Sequence, residues 1–373
     1  MKMNSKKKTI VVSAVSLRKG GTLTILRDCL SHLSTRALNG GYRVIALVHK
    51  RELADYPGIR YIEMPDITKG WERRLWCEYV TMYRISRRIA PVYLWLSLHD
   101  TTPRVLAERQ MVYCQTSFPF YRWGWKDFRF DYKIVLFALF TRFAYRINVH
   151  RNDSLIVQQE WLRSGLSRML GVKEEKFIVA PPEHKVSRVV AEKIELSCFT
   201  FFYAATPDCH KNFEFVCEAA SLLEQEIGKG KFKVVLTISG EENKYSKWLY
   251  KKFGSVASIE FAGFMRKETL WGYYQAVDCL VFPSKVETWG LPISEFMATG
   301  KPMLLADLPY ARETAAGSER TAFFDLSTPE RLKRLMKRLW EGDTAFLTCV
   351  RTSGRRLSFT SSWQELFDSI LCN

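Results

Sequence analysis

The residues best placed for chemistry are two carboxylates, Glu287 and Glu295, eight positions apart in the stretch 281–302. Between them lies Gly290, which can adopt a positive φ angle, and Pro292 favours the start of a helix that carries Glu295 one turn inside. Carboxylates accept hydrogen bonds from sugar hydroxyls, and exposed backbone N–H groups at a helix start favour phosphate. A nucleotide-sugar ligand would satisfy both kinds of group.

Strands that alternate with helices are expected to position these groups. In both halves of the chain, short apolar runs typical of buried strands alternate with helical patterns, which predicts parallel sheets with crossover helices. The predicted strands include 9–15, 42–48 and 279–282, and the predicted helices include 132–149, 292–298, 329–340 and 361–371. Ligands of such open sheets bind at the carboxyl ends of the strands.

The net charge of +17 is concentrated in the first half of the 373-residue chain. Residues 1–185 carry 32 basic and 16 acidic side chains, whereas residues 186–373 carry 24 and 23. A hydrophobic fraction of 47% is that of a globular protein and excludes disorder, and the length favours two domains. The basic half is expected to meet an anionic partner: nucleic acid, a phospholipid surface or a phosphorylated substrate.

The cysteines and the apolar runs indicate where the protein works. The nine cysteines form no CxxC pair and their number is odd, which argues against a zinc site or a disulfide framework and favours a reducing compartment. The apolar run 9–15 is too short for a signal peptide, and the run 134–140 is far below the ~20 residues that span a bilayer. We therefore expect a cytoplasmic protein, either soluble or peripheral on the inner face of the cytoplasmic membrane.

The stretch 281–307 resembles the signature of one enzyme family. Glu287 and Glu295 with Trp-Gly-Leu-Pro between them, followed by Ala298-Thr-Gly-Lys-Pro302 and Asp307, are similar to the motif of retaining glycosyltransferases of family four. Weaker matches extend over most of the chain, at Gly20-Gly21, Lys211-Asn212, Gly263-Phe264 and Ser358-Phe359 with Trp363. The resemblance implies an α/β architecture, the GT-B fold, in which two Rossmann-like domains face each other across a cleft and a C-terminal helix crosses back to the first.

The resemblance also implies a role for each matching residue. Glu287 is expected to contact the donor sugar, Lys211 to neutralise the growing charge of the leaving diphosphate, and Glu295 to hold the nucleotide ribose. The other donor-binding residues that it implies are Thr288, Trp289, Gly290, Leu291, Gly20, Gly21, His210, Gly263, Phe264 and Met265. Because lysine and backbone amides meet the charge of the diphosphate, we expect no metal and no cofactor, the nucleotide-sugar being a substrate.

Two positions depart from the family pattern. The family usually places an arginine five or six residues before the lysine, where this chain has Thr206 and Ala205; a protonated His210 would replace part of that charge. Similar family segments carry an active-site histidine where this chain has Gln115, which can donate a hydrogen bond but cannot act as a base. Since a front-side substitution needs no enzymatic nucleophile, Gln115 is kept as a predicted catalytic residue.

A segment rich in aromatic and basic residues, 118–133, is the predicted contact for an acceptor or a membrane. Eight of its sixteen residues are aromatic and four are basic. This interleaving suits sugar stacking, a membrane interface or nucleic-acid bases, and a packed aromatic loop is the alternative. The predicted contact residues are Arg122, Trp123, Trp125, Lys126 and Arg129.

Three functions follow from these features. The leading hypothesis is a metal-independent, retaining hexosyl- or glycosyltransferase of surface polysaccharide or lipopolysaccharide synthesis. It would move a sugar from a UDP-, GDP- or ADP-linked donor to a glycan or polyprenyl-linked acceptor, with an anionic membrane surface as a further partner. The alternatives are a catalytically silent GT-B subunit and, less favoured because no nucleic-acid module is recognisable, a basic nucleic-acid-binding protein.

The predicted domains are 1–180 for the acceptor, 181–356 for the nucleotide-sugar and 357–373 for a helix that packs back on the first domain.

Overall fold

The structure, a computed structural model, describes residues 7–183, 190–352 and 358–371, without the side chains of Thr68, Lys69 and Trp71. The chain divides into two compact units. The first unit comprises Met1–Pro119, Phe140–Glu183 and Arg355–Asn373, and the second comprises Phe120–Leu139 and His184–Gly354. The segment 120–139 therefore groups with the second unit, although the sequence had assigned it to the first domain. The predicted boundary at 356–357 lies outside the described residues.

Each unit is built around one sheet. In the first unit the strands are β1 (Lys8–Ala14), β2 (Tyr42–Val48), β3 (Ile59–Glu63), β4 (Leu94–Ser97), β5 (Arg109–Cys114), β6 (Ser154–Val157) and β7 (Phe177–Val179). In the second they are β8 (Phe199–Tyr203), β9 (Phe232–Leu236), β10 (Ile259–Phe261), β11 (Cys279–Phe282), β12 (Met303–Ala306) and β13 (Thr321–Phe324). The paired strands run parallel. The expected parallel sheets are therefore present.

Helices connect these strands. In chain order they are α1 (Gly20–Leu38), α2 (Trp71–Trp76), α3 (Met82–Ile89), α4 (Trp125–Arg146), α5 (Glu160–Leu170), α6 (Phe213–Ile227), α7 (Lys244–Phe253), α8 (Lys267–Ala276), α9 (Leu291–Met297), α10 (Pro309–Thr314), α11 (Pro329–Trp340) and α12 (Trp363–Leu371). A π-helical turn at Cys77–Thr81 joins α2 to α3. Within the described residues, no helix has the length and apolar composition needed to cross a bilayer.

The strand order of each sheet contains one reversal, and this decides where a ligand can bind. The orders are β3-β2-β1-β4-β5-β6-β7 in the first unit and β10-β9-β8-β11-β12-β13 in the second. Chain connections leave β1 and β4 in opposite directions, and the same holds for β8 and β11. In doubly wound sheets the carboxyl ends of such a strand pair flank the ligand crevice. The loops after β8 and β11 carry His210, Lys211 and Glu287, three of the predicted site residues.

The C-terminal helix α12 belongs to the core of the first unit. Trp363, Phe367 and Ile370 are buried in the same apolar cluster as β1 and α1. The indole of Trp363 stacks on Tyr113 with 5.6 Å between ring centroids. Because the apolar face of α12 is covered by residues far earlier in the chain, its removal would open the first unit's core.

Helix α4 starts earlier than the predicted 132–149 and contains one break. Asp131 has non-helical angles, φ −147° and ψ 76°, and its Oδ1 accepts hydrogen bonds from the backbone N–H groups of Lys133 and Ile134, both at 3.1 Å. This is the geometry of an N-cap, so Asp131 starts a second helical segment at Tyr132. The sequence located this second segment and missed the first, which begins at Trp125.

Candidate functional site

The loops that follow β8 and β11 are tied together by backbone and side-chain hydrogen bonds. The backbone N–H of Lys285 donates to the carbonyl oxygen of His210 at 2.8 Å, and Ser284 Oγ donates to the same oxygen at 3.3 Å. Asn212, in the left-handed conformation at φ 59°, donates from Nδ2 to the carbonyl oxygen of Pro283 at 3.3 Å. These bonds hold the two loops in a defined register at the reversal of the sheet.

Lys211 and Glu287 form an ion pair at this point. Lys211 Nζ lies 2.6 Å from Glu287 Oε1, and the two side chains are only 15% and 13% exposed. The hydroxyl of Tyr203 donates to the carbonyl oxygen of Lys211 at 2.6 Å, which fixes the backbone beneath the ammonium group. A partly desolvated, charge-assisted bond of this kind holds a long lysine side chain in one orientation. The structure thus brings together two predicted catalytic residues that are 76 positions apart in the sequence.

Glu295 lies on α9, half-buried beside the buried ring of Tyr274. The Tyr274 hydroxyl donates to Glu295 Oε2 at 3.2 Å. Burial raises the pKa of Glu295 above its ordinary value, and the hydrogen bond from Tyr274 and the charge of Lys267 oppose that rise. The surroundings therefore disfavour the charged form of the Glu295 side chain, which the two opposing interactions only partly offset.

The turn between Glu287 and Glu295 depends on Gly290. Gly290 has φ 86°, in the left-handed region that residues with a Cβ atom rarely adopt. Trp289 donates from Nε1 to Ser294 Oγ at 3.1 Å, and its carbonyl oxygen accepts from Thr314 Oγ1. The backbone of 288–291 is thereby fixed between the ion pair and α9.

The substitution Gly290→Ala is expected to lower the free energy of unfolding by about 1–2 kcal/mol, because a residue with Cβ pays that penalty in the left-handed region. The added Cβ would also stand 3.2 Å from Ile293 Cδ1. The control is Gly300→Ala, at φ 66° with no atom within 4 Å of the added Cβ. Urea unfolding of both variants should show the larger loss for Gly290→Ala. Equal losses of unfolding free energy in the two variants would show that the turn adjusts to the added Cβ atom. That result would contradict a rigid turn at Gly290.

His210 supplies no positive charge in this structure. Burial, followed by the nearby charges of Lys211 and Lys285, lowers the pKa of the imidazole well below its ordinary value. The ring meets that of Tyr121 edge-on, with 6.2 Å between centroids. Because the imidazole is neutral near pH 7, it does not replace the arginine that is absent at 205 and 206. This corrects the role that the sequence indicated for His210.

The predicted donor-binding residues 263–265 follow β10, at the same edge of the sheet as the ion pair but two strands away from β8. Gly263 has φ 78°, and its N–H donates to the carbonyl oxygen of Ile238 at 3.2 Å. The next residue, Phe264, is 90% exposed. A large apolar ring held in water by a short turn is available for stacking.

In the first unit, Gly20 and Gly21 are exposed at the start of α1, which follows β1. Gly20 has φ 62°, a conformation that favours glycine. The same loop carries Ser16, whose hydroxyl lies 3.1 Å from His99 Nδ1 after β4. His99 is buried, and burial lowers the pKa of its imidazole well below the ordinary value. The two strands at the reversal of the first sheet are therefore linked by a neutral histidine.

Gln115 is buried at the carboxyl end of β5 and ties that strand to β4. Its Nε2 donates to the carbonyl oxygen of Leu98 at 3.0 Å, and its backbone N–H donates to Asp100 Oδ1. Thr116 Oγ1 donates to the other oxygen of Asp100 at 3.2 Å. Burial raises the pKa of Asp100 to about 6. The side-chain amide of Gln115 thus already donates one hydrogen bond within the first unit, to Leu98. The catalytic role of Gln115 stays a prediction.

All five residues predicted to contact an acceptor or a membrane are exposed. They are Arg122, Trp123, Trp125, Lys126 and Arg129. Their segment is held on the second unit by contacts that the sequence did not reveal. Asp127 Oδ1 lies 3.0 Å from Lys285 Nζ, and the ring of Phe130 packs on those of Tyr245 and Trp248 at 5.7 and 5.1 Å between centroids. Lys285 stands two residues before Glu287, so this basic, aromatic segment is anchored on the loop that carries the ion pair.

Part of the chain matches a known family. Residues 192–350 match the family model described as glycosyl transferases group 1. The coarser form of the leading hypothesis, a glycosyltransferase domain in the second half of the chain, is therefore confirmed. No curated protein sequence matches this chain.

Solved structures of glycosyltransferases resemble this chain over nearly its whole length. Sucrose-phosphate synthase from Thermosynechococcus elongatus aligns with a TM-score of 0.64 and 13% identity over 91% of each chain. Anabaena HepE in complex with UDP-glucose aligns with a TM-score of 0.62 and 13% identity over 91% of this chain and 92% of that one. WaaG, a glycosyltransferase involved in lipopolysaccharide biosynthesis, aligns with a TM-score of 0.61 and 14% identity over 90% of this chain and 92% of that one. The chain has the GT-B fold with two Rossmann-like domains, as the sequence predicted.

Proposed function

We propose that this protein is a retaining glycosyltransferase that uses a nucleotide-sugar donor. The observation that carries the proposal is the Lys211–Glu287 ion pair, 2.6 Å long, at the reversal of the second sheet. The family match over residues 192–350 includes both members of the pair. In a sheet of this kind the ligand binds where those two loops meet.

The chemistry of the site suits the departure of a nucleoside diphosphate. As the bond between the sugar and the diphosphate breaks, negative charge grows on the diphosphate, and the oriented ammonium of Lys211 stabilises it. Glu287 holds that ammonium in place and accepts hydrogen bonds from the donor sugar, while Glu295 accepts those of the ribose. Backbone amides of 288–291 complete the binding of the diphosphate. We propose that these groups act without a metal, so activity should survive EDTA.

The acceptor side of the proposal rests on charge and on relatives. The excess of 16 positive charges in residues 1–185 favours a phosphorylated carrier or an anionic surface. WaaG is involved in lipopolysaccharide biosynthesis, and HepE was solved with UDP-glucose. We propose by analogy a glycan or polyprenyl-linked acceptor of surface polysaccharide or lipopolysaccharide synthesis, used by a cytoplasmic enzyme that associates peripherally with the membrane.

One observation favours a second function. Gln115 stands where similar family segments carry an active-site histidine, and it donates to the carbonyl oxygen of Leu98. A subunit that binds the donor without turning it over would tolerate this arrangement. Such a silent GT-B subunit would bind a nucleotide-sugar normally and show neither transfer nor donor hydrolysis.

A thermal-shift panel of nucleotide-sugars tests the proposal. At least one UDP-, GDP- or ADP-sugar at 100 times its Kd should add about 2.7 kcal/mol to the stability of the folded state and raise Tm clearly. The free sugar and inorganic pyrophosphate serve as controls, because neither occupies both parts of the proposed site. A panel in which no nucleotide-sugar shifts Tm would contradict the enzyme and the silent subunit alike.

A further inference from the structure

The second unit contains a buried group of three charges that the proposed chemistry does not use. Lys285 Nζ lies 3.0 Å from Asp127 Oδ1 and 3.8 Å from Glu214 Oε1. The carboxylate side chains are 4% and 8% exposed, and the lysine side chain is 21% exposed. Charges buried to this degree are stable only when they are paired, so each member of this charge triad depends on the others.

The charge triad and the Lys211–Glu287 pair connect the same two parts of the chain. Glu214 lies three residues after Lys211, in the first turn of α6, and Lys285 lies two residues before Glu287, in the loop after β11. In one bridge the α6 side supplies the base, and in the other it supplies the acid. A slip that moved Lys211 towards Lys285 would bring like charges together, so the two bridges fix one register of the two parts.

Asp127 brings a third part of the chain to the charge triad. It lies in the segment 120–131, which precedes β8 in the chain and belongs to the second unit. Asp127 Oδ2 accepts a hydrogen bond from the backbone N–H of Gly124 at 2.7 Å. This bond orients the carboxylate, so that its other oxygen meets Lys285. The lysine is therefore held from two sides.

Ring contacts hold the segment 120–131 against the same parts of the second unit. The ring of Tyr121 meets that of His210, in the loop after β8, edge-on at 6.2 Å between centroids. Phe130 packs on Tyr245 at 5.7 Å, and the Tyr245 hydroxyl donates a hydrogen bond to the glutamate of the charge triad. The position of Asp127 is thus fixed by packing on both sides of it in the chain.

The charge triad is poorly suited to bind the donor directly. Its two acidic groups outnumber its one basic group, which disfavours a diphosphate. Both oxygens of Asp127 and both oxygens of Glu214 already have partners within the unit. The triad therefore acts through the loops that it holds.

We infer that Asp127 is a positioning residue of the proposed transferase: through Lys285 it holds the loop that carries Glu287, and with it the orientation of Lys211. The effect on transfer rests on the proposed function, whereas the effect on the loop does not. Groups that act on a transition state tolerate little displacement, since a shift of about 1 Å costs on the order of 100-fold in rate. The segment 120–131 is thus a support of the donor half of the site.

Hydrogen exchange in the unliganded protein tests the effect on the loop. Asp127→Asn keeps the size of the side chain and an oxygen for the Gly124 N–H, but it turns an amide NH2 group towards the Lys285 ammonium. Peptides that cover 209–214 and 283–291 should exchange about 10-fold faster in this variant, because local opening of the two loops becomes easier. Peptides from β9 and β12 should not change.

Two controls distinguish positioning from a general loss of stability. Glu226→Gln also removes a carboxylate paired with lysine, 2.6 Å from Lys337 Nζ, but at the other end of α6. Leu339→Ala removes a buried side chain from α11 and should lower Tm by loss of core packing. Neither control should speed exchange of the two loop peptides selectively. If either did so as strongly as Asp127→Asn, the assignment to Asp127 would be overturned.

Steady-state kinetics test the effect on transfer. Asp127→Asn should lower kcat/KM for the donor about 10- to 100-fold, and Asp127→Glu, which retains the charge, should lose less. In a Lys211→Met background, Asp127→Asn should cost less than about threefold, because the group that it positions is gone. An equal loss in both backgrounds would show that Asp127 only stabilises the fold, and would overturn the inference.

The two measurements separate this inference from the proposed function. Faster exchange of the two loop peptides in a protein that neither binds nor transfers any nucleotide-sugar would support the positioning of the loop and contradict the proposed function. Transfer by the unmodified protein, with unchanged exchange and unchanged kcat/KM in Asp127→Asn, would overturn the inference and leave the proposed function standing.

Discussion

Replacing Lys211 by Met is expected to lower the rate of sugar transfer about 100- to 1000-fold, the loss typical when one oriented stabiliser of a developing anion is removed. Met keeps the length of the side chain and removes the charge. The Michaelis constant for the donor should change much less than kcat, because the diphosphate carries most of its new charge only in the transition state. Initial rates with a radiolabelled donor, or donor hydrolysis where no acceptor is at hand, measure the effect.

A structural effect of this change must be separated from the chemical one. Without Lys211, the Glu287 carboxylate is left at 13% exposure without its ion-pair partner, so Tm should fall. The double variant Lys211→Met with Glu287→Gln removes both charges and should recover much of Tm while transfer stays low. The matched control is Lys252→Met, which breaks the Lys252–Glu218 pair in the same unit, 2.8 Å long and more exposed. If the double variant regained transfer along with Tm, the pair would be structural only.

Glu295→Gln is expected to weaken donor binding and to stabilise the protein at neutral pH. Hydrogen bonds to a charged group contribute about 1.5–3 kcal/mol, so losing the charge that meets the ribose hydroxyls should raise Kd about 10- to 100-fold. Gln keeps an oxygen that can accept from the Tyr274 hydroxyl. Isothermal titration with the donor found in the thermal-shift panel gives Kd.

The gain in stability follows from the raised pKa of Glu295. The Glu295 carboxyl group stays protonated to a higher pH in the folded state than in the unfolded state. The stability that this protonation contributes is present below pH 4.5 and is lost as pH rises through the folded pKa. The glutamine side chain of the variant does not ionise, so Glu295→Gln should have the higher Tm at pH 7, and the difference should shrink as pH falls through the folded pKa towards 4.5. Glu218→Gln, on the exposed pair with Lys252, is the control and should change neither Kd nor Tm in this way. A lower Tm at pH 7 for Glu295→Gln would contradict the argument.

Local patterns predicted several elements of the fold to the residue. The strand Cys279–Phe282 and the helix Pro329–Trp340 were located from an apolar run and from helical periodicity with a proline start. By contrast, β6, α5 and β7 were not predicted, and neither were α10 and β13. β6, β7, α10 and β13 have only three to six residues, too few for a periodic pattern to distinguish a strand or a short helix from a loop. Helix α5, with 11 residues, was long enough for a helical pattern and was missed.

The sequence predicted which residues form the candidate site better than it predicted their charges and hydrogen bonds. Glu287, Glu295 and Lys211 were located through a resemblance, and the structure places two of them in one ion pair. Local sequence patterns did not predict three features of the site. These are the neutral imidazole of His210, the hydrogen bond from Gln115 to Leu98, and the ion pair between Lys285 and Asp127. Each depends on side chains that the fold brings from distant positions, and burial by those side chains sets the pKa.

The amino-acid sequence by itself determined the alternation of strands and helices, the carboxylate motif and the uneven charge, because these depend on residue types and on short-range spacing. Only the tertiary structure decided which charges are paired and which apolar side chains remain in water. The same run of apolar residues in α4 supplies Val135 and Ala138 to the core and leaves Leu136 and Phe140 exposed. Exposure is a property of what packs around a helix, and the helix's own sequence cannot specify it.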